Sequence, residues 1–327
     1  MDFRLSDEQT LLGETARSLF TRECPPSLVR SVGAEPTAAA ELFDRHLRDW
    51  IALAGGPVVD LTLFLVEAGA AVAPGPFLAT AGCFAPLLDA VGHGLAAPAV
   101  AGEMLGTVAF ADADAVRVID MDLVDHVAVV LDDERGGPSI AVVEASSLPG
   151  RRIESMDLAR SVFAVEVPEG LVGAPVDPAR LGAGLERMTL AVAAEMVGTA
   201  RWMVDTAVAY AKERVQFGRP IGAFQAVQHK LVDAALAYEQ AAAAVSYAAM
   251  AVDGAHPDRH RAVHVAKAEA GRAARGAAKD AMQVLGGVGF TWEHDLHLRL
   301  RRAYADDALL GTGESHLDQL ADLLFSP

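Results

Sequence analysis

The chain has 327 residues, of which 52% are hydrophobic and 6% aromatic, and its formal net charge is −17. This length and apolar content allow a sizeable buried core in one large or two to three smaller domains, whereas so negative a charge argues against a general nucleic-acid-binding surface, which must be basic. Cys24 and Cys83 are the only cysteines, so we expect no disulfide framework and a reducing, cytoplasmic setting.

Residues 1–95 are predicted to be helical. In LSDEQTLLGETARSLFTREC, Ser6 and Gln9 have the spacing of a capping box at a helix start. The segments ELFDRHLRDWIALAGG and DLTLFLVEAGAAVAPGPF predict two further helices, which end at glycine and at proline. Because no stretch reaches the ~20 uninterrupted apolar residues of a membrane span, we expect none.

Residues 96–175 change character to short runs rich in β-branched residues, namely GTVAFA, DHVAVVL, SIAVVEA and FAVEVP. Segments with glycine and proline separate these runs, which predicts a small, mostly antiparallel β-domain. The sequence contains no strand–GxGxxG–helix unit, so a dinucleotide site of the Rossmann type is not supported.

Residues 176–327 return to helical periodicity, with long segments over about 178–213, 224–253 and 257–285. Such lengths are typical of helices in a bundle that packs on itself or on a partner chain. The predicted fold class is therefore mainly α with a small β-domain, in the order helices, β-domain, helices.

RVQFGRPIGAFQ, from Arg214 to Gln225, lies between the first two long helices. Phe217 and Gly218 should interrupt the first helix, and Pro220 should delay the second, so that Gln225 falls in its first turn. An arginine at one helix end and free N–H groups at the next helix start suit an anion. An ordinary helix corner with a solvated arginine is the alternative, and the residues alone leave both open.

QVLGGVGF, from Gln283 to Phe290, places three glycines in four positions at the end of the last long segment. Without side chains, such a backbone can approach a flat or charged group closely. The same composition is also typical of an ordinary helix C-terminus, where glycine adopts the left-handed conformation.

Two histidines, His260 and His264, lie four positions apart on one predicted helix face and could share a metal. His256 precedes them, but no carboxylate is placed as a clear third ligand and Arg259 and Arg261 flank the pair, so we expect a solvated polar helix face and no metal site.

RVQFGRPIGAFQ and QVLGGVGFTWEHDLHLRLRRA, about seventy residues apart, together resemble motifs of the acyl-CoA dehydrogenases. MDFRLSDEQTLLGETARSLF is similar to that family's opening helix, and ESMDLARSVFAVEVPEG to the last strands of its β-domain, so the resemblance covers nearly the whole chain. It implies an N-terminal helical domain at 1–95, abridged around LAGGPVVDLT, a middle β-domain at 96–175 and a C-terminal four-helix bundle at 176–327.

The resemblance also implies FAD as cofactor, with contacts to its pyrophosphate and adenine half. The implied residues are Arg214, Gln216, Phe217, Gln225, Gln283, Val284, Leu285, Gly286 and Gly287. In the family these residues reach across a subunit interface, into flavin that the neighbouring subunit mainly holds. A cation, amides and glycine backbone are groups that suit a diphosphate.

The family's proton-abstracting glutamate stands directly before a Gly-Thr pair, where this chain has Leu310. Leucine cannot abstract a proton. Some members place the base on the first bundle helix in a Leu-Glu-Arg setting, which Glu186 and Arg187 reproduce here. Glu186 is therefore a candidate base and Arg187 a candidate substrate contact, with an ordinary solvated pair as the alternative.

The β-domain departs from the family as well. GTVAFADADAVRVIDMD lacks the Thr-Glu-Pro…Gly-Ser-Asp stretch that binds flavin and substrate in the family, and we expect the segment that covers the flavin ring to be missing before DHVAVVL. The chain thus keeps the half of the FAD site that a subunit lends to its neighbour and loses the half it uses itself. This pattern is similar to the short subunits of heteromeric α2β2 acyl-CoA dehydrogenases of actinobacterial steroid side-chain β-oxidation.

The resemblance therefore implies a subunit that works with a second, full-length subunit on an acyl-CoA and passes electrons to an electron-transfer flavoprotein or similar acceptor. The subgroup suggests a steroid side-chain CoA thioester as substrate and a trans-2-enoyl-CoA as product. Two alternatives stay open: a self-sufficient homo-oligomeric enzyme with Glu186 as base, and a non-catalytic scaffold that has lost flavin.

Overall fold

A computed structural model of the chain describes residues 3–33, 35, 37–111, 116–133 and 137–325. The helices are α1 Asp7–Glu23, α2 Pro26–Ser31, α3 Thr37–Leu42, α4 Val58–Ala71, α5 Ala85–Val91, α6 Ala96–Val100, α7 Pro178–Glu213, α8 Gln225–Asp253, α9 Arg259–Leu285, α10 Leu296–Ala308 and α11 Gly313–Phe325. The strands are β1 Gly106–Phe110, β2 Val116–Ile119, β3 His126–Asp133, β4 Gly137–Glu144, β5 Gly150–Ile153, β6 Val162–Val165, β7 Ala174–Pro175, β8 Val215–Gln216 and β9 Arg219–Pro220. Helices precede and follow the strands along the chain, which confirms the predicted mainly α fold class with a small β-domain. Among the helices of these residues, none has the length and apolar character needed to span a membrane.

The chain divides into two compact units, each built from separate segments. The bundle unit comprises Met1–Pro26, Thr62–Ala73 and Val192–Pro327, and the sheet unit comprises Ser27–Leu61 and Pro74–Ala191. Each unit combines segments from distant parts of the chain, whereas the predicted domains are three consecutive regions. The predicted boundaries 1–95, 96–175 and 176–327 are therefore not tested by these units and stay a prediction.

Local sequence signals set the helices of the bundle unit. The Ser6 side chain accepts a hydrogen bond from the Gln9 N–H, and the Gln9 side chain accepts one from the Ser6 N–H, so the capping box is confirmed. The bounds of α7, α8 and α9 follow the three long predicted segments. Helix α9 buries small side chains along its length, which lets neighbouring helices approach closely: Ala262, Ala266, Ala270, Ala273, Ala274, Ala277, Ala278 and Ala281.

Two glycines allow α4 and α7 to cross in direct backbone contact. A Cβ on Gly69 would lie 2.0 Å from the carbonyl oxygen of Glu195, and a Cβ on Gly198 would lie 1.8 Å from the carbonyl oxygen of Val66. The Thr199 hydroxyl lies 3.1 Å from the Gly69 carbonyl oxygen at the same crossing. Because even a methyl group would overlap backbone atoms, only glycine fits at these two positions.

Arginines of α10 bind one carbonyl group in the last turn of α4 and another just beyond the end of that helix. Arg299 donates from Nε and Nη2 to the Ala70 carbonyl oxygen at 3.2 and 3.1 Å. The fully buried Arg302 reaches the Ala73 carbonyl oxygen at 3.4 Å and pairs with the Glu195 carboxylate at 2.8 Å. Carbonyls at a helix end lack partners within the helix, so the two cations satisfy groups that would otherwise be buried without a donor.

The sheet unit contains two small sheets, with strand orders β1-β3-β4-β7 and β2-β6-β5. Strands β1 and β3 are parallel and the other pairings in this unit are antiparallel, as predicted for most of the domain. The chain leaves β1 to form β2 in the second sheet before it returns as β3, and this crossover allows the parallel pairing. The core of the domain includes Ala109, Val118, Val127, Val129 and Val165.

ELFDRHLRDWIALAGG is not the single helix that its pattern predicts. Helix α3 ends at Leu42, a π-helical segment covers Phe43–Leu47, and a 3-10 segment covers Arg48–Gly55. Because the number of residues per turn changes along the segment, side chains point in directions that a uniform α-helix would not give them. In this arrangement Phe43, Ile51 and their apolar neighbours are buried. Packing in the sheet unit therefore overrides the uniform helical period.

We expect Gly198→Ala to lower the free energy of unfolding by about 3 kcal/mol, because α4 and α7 must separate to admit the methyl group. Gly182→Ala is the matched control on the same helix, since its added Cβ meets nothing within 4 Å. In that control the free energy of unfolding should rise by about 0.5–1 kcal/mol, because alanine has the higher helix propensity. Urea denaturation of both variants measures the difference, and equal midpoints would contradict the tight crossing.

Candidate functional site

The predicted anion site RVQFGRPIGAFQ forms a β-hairpin between α7 and α8, in which β8 pairs with β9. Phe217 and Gly218 occupy the turn with φ values of 52° and 79°. Two successive positive φ values are typical of the tight hairpin turn that matches strand twist. The Phe217 ring, which is 92% exposed, makes an edge contact with Phe224 at a centroid distance of 6.1 Å. A 3-10 turn over Ile221–Ala223 then leads into α8, which begins at Gln225.

The polar side chains of this segment point to solvent rather than into the chain. Arg214, Gln216, Gln225 and Gln283 are all exposed. Gln216 donates from Nε2 to the Val215 carbonyl oxygen at 2.8 Å. Within the described residues, the side chains of Arg214, Gln225 and Gln283 take part in no ion pair or hydrogen bond. One guanidinium and two amides are thus available to a bound group.

The glycine turn follows α9, which ends at Leu285. Gly286 has φ 58° and ψ −134°, a conformation that a residue with a side chain rarely adopts. A Cβ on Gly286 or Gly287 would meet nothing within 4 Å, so the backbone here is open to an approaching group. Val284 and Leu285 are buried in the bundle unit, and only their backbone is available.

The candidate base Glu186 and its neighbour Arg187 lie on α7 in the sheet unit. Glu186 is 8% exposed, so its carboxylate is not the solvated surface group of the alternative interpretation. Arg187 donates to the Asp89 carboxylate at 2.8 Å and to the Ala54 carbonyl oxygen at 2.6 Å. These bonds give Arg187 a packing role between α7, α5 and the 3-10 segment, and its contact with substrate stays a prediction.

Leu310 lies in the turn between α10 and α11 with φ 57°, a left-handed conformation that strains a leucine. The buried Lys267 of α9 fixes this turn. Its Nζ donates to the carbonyl oxygens of Asp306, Asp307 and Gly311 at 3.3, 3.1 and 2.7 Å. Burial lowers the pKa of Lys267 to about 8, against the opposing effect of Asp307 and Asp306. The amine is therefore mainly charged at neutral pH and has three N–H groups for three acceptors.

His264 is half-buried and contacts a second histidine, a pairing that the sequence analysis did not predict. Its Nδ1 lies 2.8 Å from Nδ1 of His316 on α11, and Nε2 of His316 lies 2.9 Å from the Leu310 carbonyl oxygen. In the part of the chain that the structure describes, no group of three or more His, Cys, Asp or Glu side chains could hold a metal.

A cluster that the sequence analysis missed joins α1, α4 and α7. The buried Glu67 accepts from Arg17 at 3.3 and 3.1 Å and from Arg201 at 2.8 and 2.6 Å. Burial alone would raise the pKa of Glu67, but hydrogen bonds from Arg201 and Arg17 outweigh it and lower the pKa. A cleft of about 620 Å³ beside this cluster is also lined by Trp202 and Arg299. The three charged residues are too far apart in the sequence to form a recognisable local pattern.

The region expected to lack the flavin-binding motif falls partly on residues 112–115, which lie outside the described residues. Strand β2 and a 3-10 turn over Met121–Leu123 occupy much of the connection from β1 to β3. The absence of a segment that covers the flavin ring stays a prediction.

We expect Lys267→Met to lower the free energy of unfolding by about 3 kcal/mol at neutral pH, because buried carbonyls lose their donor. Lys279→Met is the matched control, since Lys279 is exposed on the same helix. The control should change stability by no more than about 0.5 kcal/mol. Chemical denaturation checks both values, and equal effects would show that Lys267 does not secure the turn.

Comparison with known proteins gives a consistent result. The model of the family described as "Acyl-CoA dehydrogenase, C-terminal domain" matches residues 180–325. Acyl-CoA dehydrogenase FadE34 of Mycobacterium tuberculosis is 37% identical over 274 residues, which are 79% of this chain but 37% of that protein. Acyl-CoA dehydrogenase IpdE2 of Mycolicibacterium smegmatis is 30% identical, and the alignment covers 98% of this chain and 100% of that protein.

Among solved structures, the Tcur3481-Tcur3483 steroid ACAD has a TM-score of 0.82 and 26% identity. The match covers 97% of this chain and 98% of the chain in that structure. This chain aligns in sequence with the whole of IpdE2, and its fold matches nearly all of the chain in the solved structure. The chain belongs to the acyl-CoA dehydrogenase family, whose enzymes use FAD.

Proposed function

We propose that this chain is a subunit of an FAD-dependent acyl-CoA dehydrogenase complex and completes the FAD site of a second, full-length subunit. One observation carries the proposal. The polar side chains expected to contact FAD, namely Arg214, Gln216, Gln225 and Gln283, are exposed, whereas the residue at the usual base position is Leu310. The chain thus has groups to offer a cofactor without the usual group for proton abstraction.

The bundle-unit residues fit the anionic half of FAD in chemical type. The Arg214 guanidinium would neutralise phosphate charge, and the amides of Gln216, Gln225 and Gln283 would orient the ligand by hydrogen bonds. The open backbone at Gly286 would allow close approach, since a Cβ there meets nothing within 4 Å. When bound, FAD supplies the acceptor for the hydride that leaves Cβ of the acyl-CoA.

Exposed aromatic side chains in the same two sequence motifs support a partner that covers them. Phe217, Phe290 and Trp292 are 92%, 76% and 60% exposed. Large apolar groups clustered with functional polar groups are typical of protein interfaces. The solved structure of similar fold is a steroid ACAD named for two proteins, Tcur3481 and Tcur3483. We therefore propose an α2β2 complex, a steroid side-chain CoA thioester as substrate, and an electron-transfer flavoprotein or similar acceptor.

Proton abstraction belongs to the partner subunit in this proposal. The reaction needs a carboxylate within reach of the acyl Cα, and the turn that Lys267 fixes presents Leu310 instead. A second candidate function, a self-sufficient homo-oligomer, is favoured by the burial of Glu186 on α7. A buried carboxylate can act as a base on a substrate that binds next to it inside the protein. A carboxylate on the solvated surface has no such site for the substrate.

Co-expression with candidate full-length partners tests the proposal through FAD content per subunit. We expect the chain alone to purify without stoichiometric FAD and the complex to be yellow. Arg214→Ala should weaken FAD binding by the complex about tenfold or more, since a charge-assisted contact is lost. Arg151→Ala is the control, since it removes another exposed arginine, on β5, and should leave FAD binding unchanged.

Stoichiometric FAD in the chain purified alone would contradict the shared site. Equal FAD content in the complexes of wild type and Arg214→Ala would instead favour the scaffold that has lost flavin.

Glu186→Gln separates the two catalytic proposals. If the partner supplies the base, turnover of the complex should stay within about threefold of wild type. A self-sufficient enzyme should lose about 100-fold or more while flavin stays bound. Glu169→Gln, at an exposed position, is the control for a change of charge. Acyl-CoA-dependent reduction of an artificial acceptor gives the rates.

A further inference from the structure

Two histidines connect α9, α11 and the Leu310 turn by a continuous line of contacts. Nδ1 of His264 lies 2.8 Å from Nδ1 of His316. Nε2 of His316 lies 2.9 Å from the Leu310 carbonyl oxygen. Helix α11 buries only Gly313 and His316. His316 is therefore a principal attachment of α11 to the rest of the bundle unit.

The contacts fix where the protons reside. A carbonyl oxygen only accepts hydrogen bonds, so Nε2 of His316 must carry its proton. A neutral imidazole has one N–H, which leaves Nδ1 of His316 as an acceptor. Nδ1 of His264 must then be the donor between the two rings. The neutral pair has one arrangement, with the proton on Nε2 of His316 and on Nδ1 of His264.

The same contacts limit how many protons the pair can hold. If His316 takes a second proton, its Nδ1 becomes a donor, and His264 can still accept by moving its own proton to Nε2. If both rings are charged, each Nδ1 carries a proton, and two N–H groups face each other across 2.8 Å. No acceptor remains between the rings, and the two like charges repel. The closed pair therefore admits one extra proton and not two.

The surroundings favour the neutral form of His264. Burial, with smaller effects from His316 and His260, lowers the pKa of His264 to about 4. The ordinary value in the unfolded chain is about 6.5. An open or unfolded state consequently binds the proton first, and the stability that this residue gives is lost as pH falls from about 6.5 toward 4.

Charged groups on the neighbouring elements act on His316 in opposite directions. Burial lowers the pKa of His316, the hydrogen bond to Leu310 raises it, Lys267 on α9 lowers it and Asp307 on α10 raises it, with a net decrease. Arg275 of α9 pairs with Asp307 at 3.4 Å. The carboxylate of Asp307, which favours the charged form of His316, is thus already paired with another cation.

We propose that His264 and His316 form an acid-sensitive latch, which fastens the Leu310 turn and the start of α11 to α9 and opens when both rings become charged. Opening would release the strained conformation of Leu310, whose φ is 57°, and free the exposed remainder of α11. The proposal rests on these contacts and is independent of the proposed function.

Hydrogen exchange of the full chain, measured between about pH 7 and pH 4.5 and corrected for intrinsic rates, tests the latch. In wild type we expect faster exchange in residues 309–320 as the pH falls. This increase should come before any increase of exchange in α9. His264→Gln should abolish this acid response, because a glutamine amide can donate or accept but takes up no proton. His264→Leu should open the segment already at neutral pH.

His229→Gln, an exposed histidine change on α8, should keep the wild-type response. Nitrogen chemical shifts of the two rings at neutral pH give a second measurement, and we expect a proton on Nε2 of His316 and on Nδ1 of His264. An acid response that persists in His264→Gln, a wild type without any response, or the opposite tautomers would each overturn the proposal.

Discussion

The crossing of α4 and α7 is the constraint on which the bundle unit depends. With Gly69 and Gly198 at the contact, the backbones touch directly, and no side chain could be inserted without moving a helix. This approach leaves the end of α4 beside α10, where Arg299 binds the Ala70 carbonyl group and Arg302 binds that of Ala73, two residues beyond the helix. It also buries a charge pair between Arg302 and Glu195, which is costly to break because either partner alone would be an unpaired buried charge.

A rigid bundle suits a surface that must present groups to another molecule. The hairpin and the glycine turn sit at the ends of α7 and α9, and both expose polar groups that the chain itself does not use. Loops held by long packed helices can position such groups while staying accessible. These exposed groups are the ones that the proposed function assigns to FAD.

The Leu310 turn is held by contacts to its backbone. Lys267 binds three carbonyl groups around the turn, and His316 contacts a fourth. These contacts engage backbone atoms, so they do not depend on which side chain the turn carries. The turn is therefore secured by its carbonyl groups and not by the Leu310 side chain.

The sequence by itself determined the features that local or periodic signals encode. The capping box at Ser6, the bounds of α7 to α9 and the interruption at Phe217 and Gly218 each follow from residues a few positions apart. The two family motifs are also short and contiguous. The uniform helix predicted from ELFDRHLRDWIALAGG was wrong because a local period cannot record how a segment packs.

Tertiary structure alone decided the burial of Glu186, the partners of Arg187, the pairing of His264 with His316 and the position of Glu67 between two arginines. It also decided which glycines lie at a helix crossing and which are open to solvent. Each of these contacts joins residues far apart in the chain, and their free energy depends on desolvation and close packing. Such quantities exist only once the chain has folded, so no local pattern of residues can encode them.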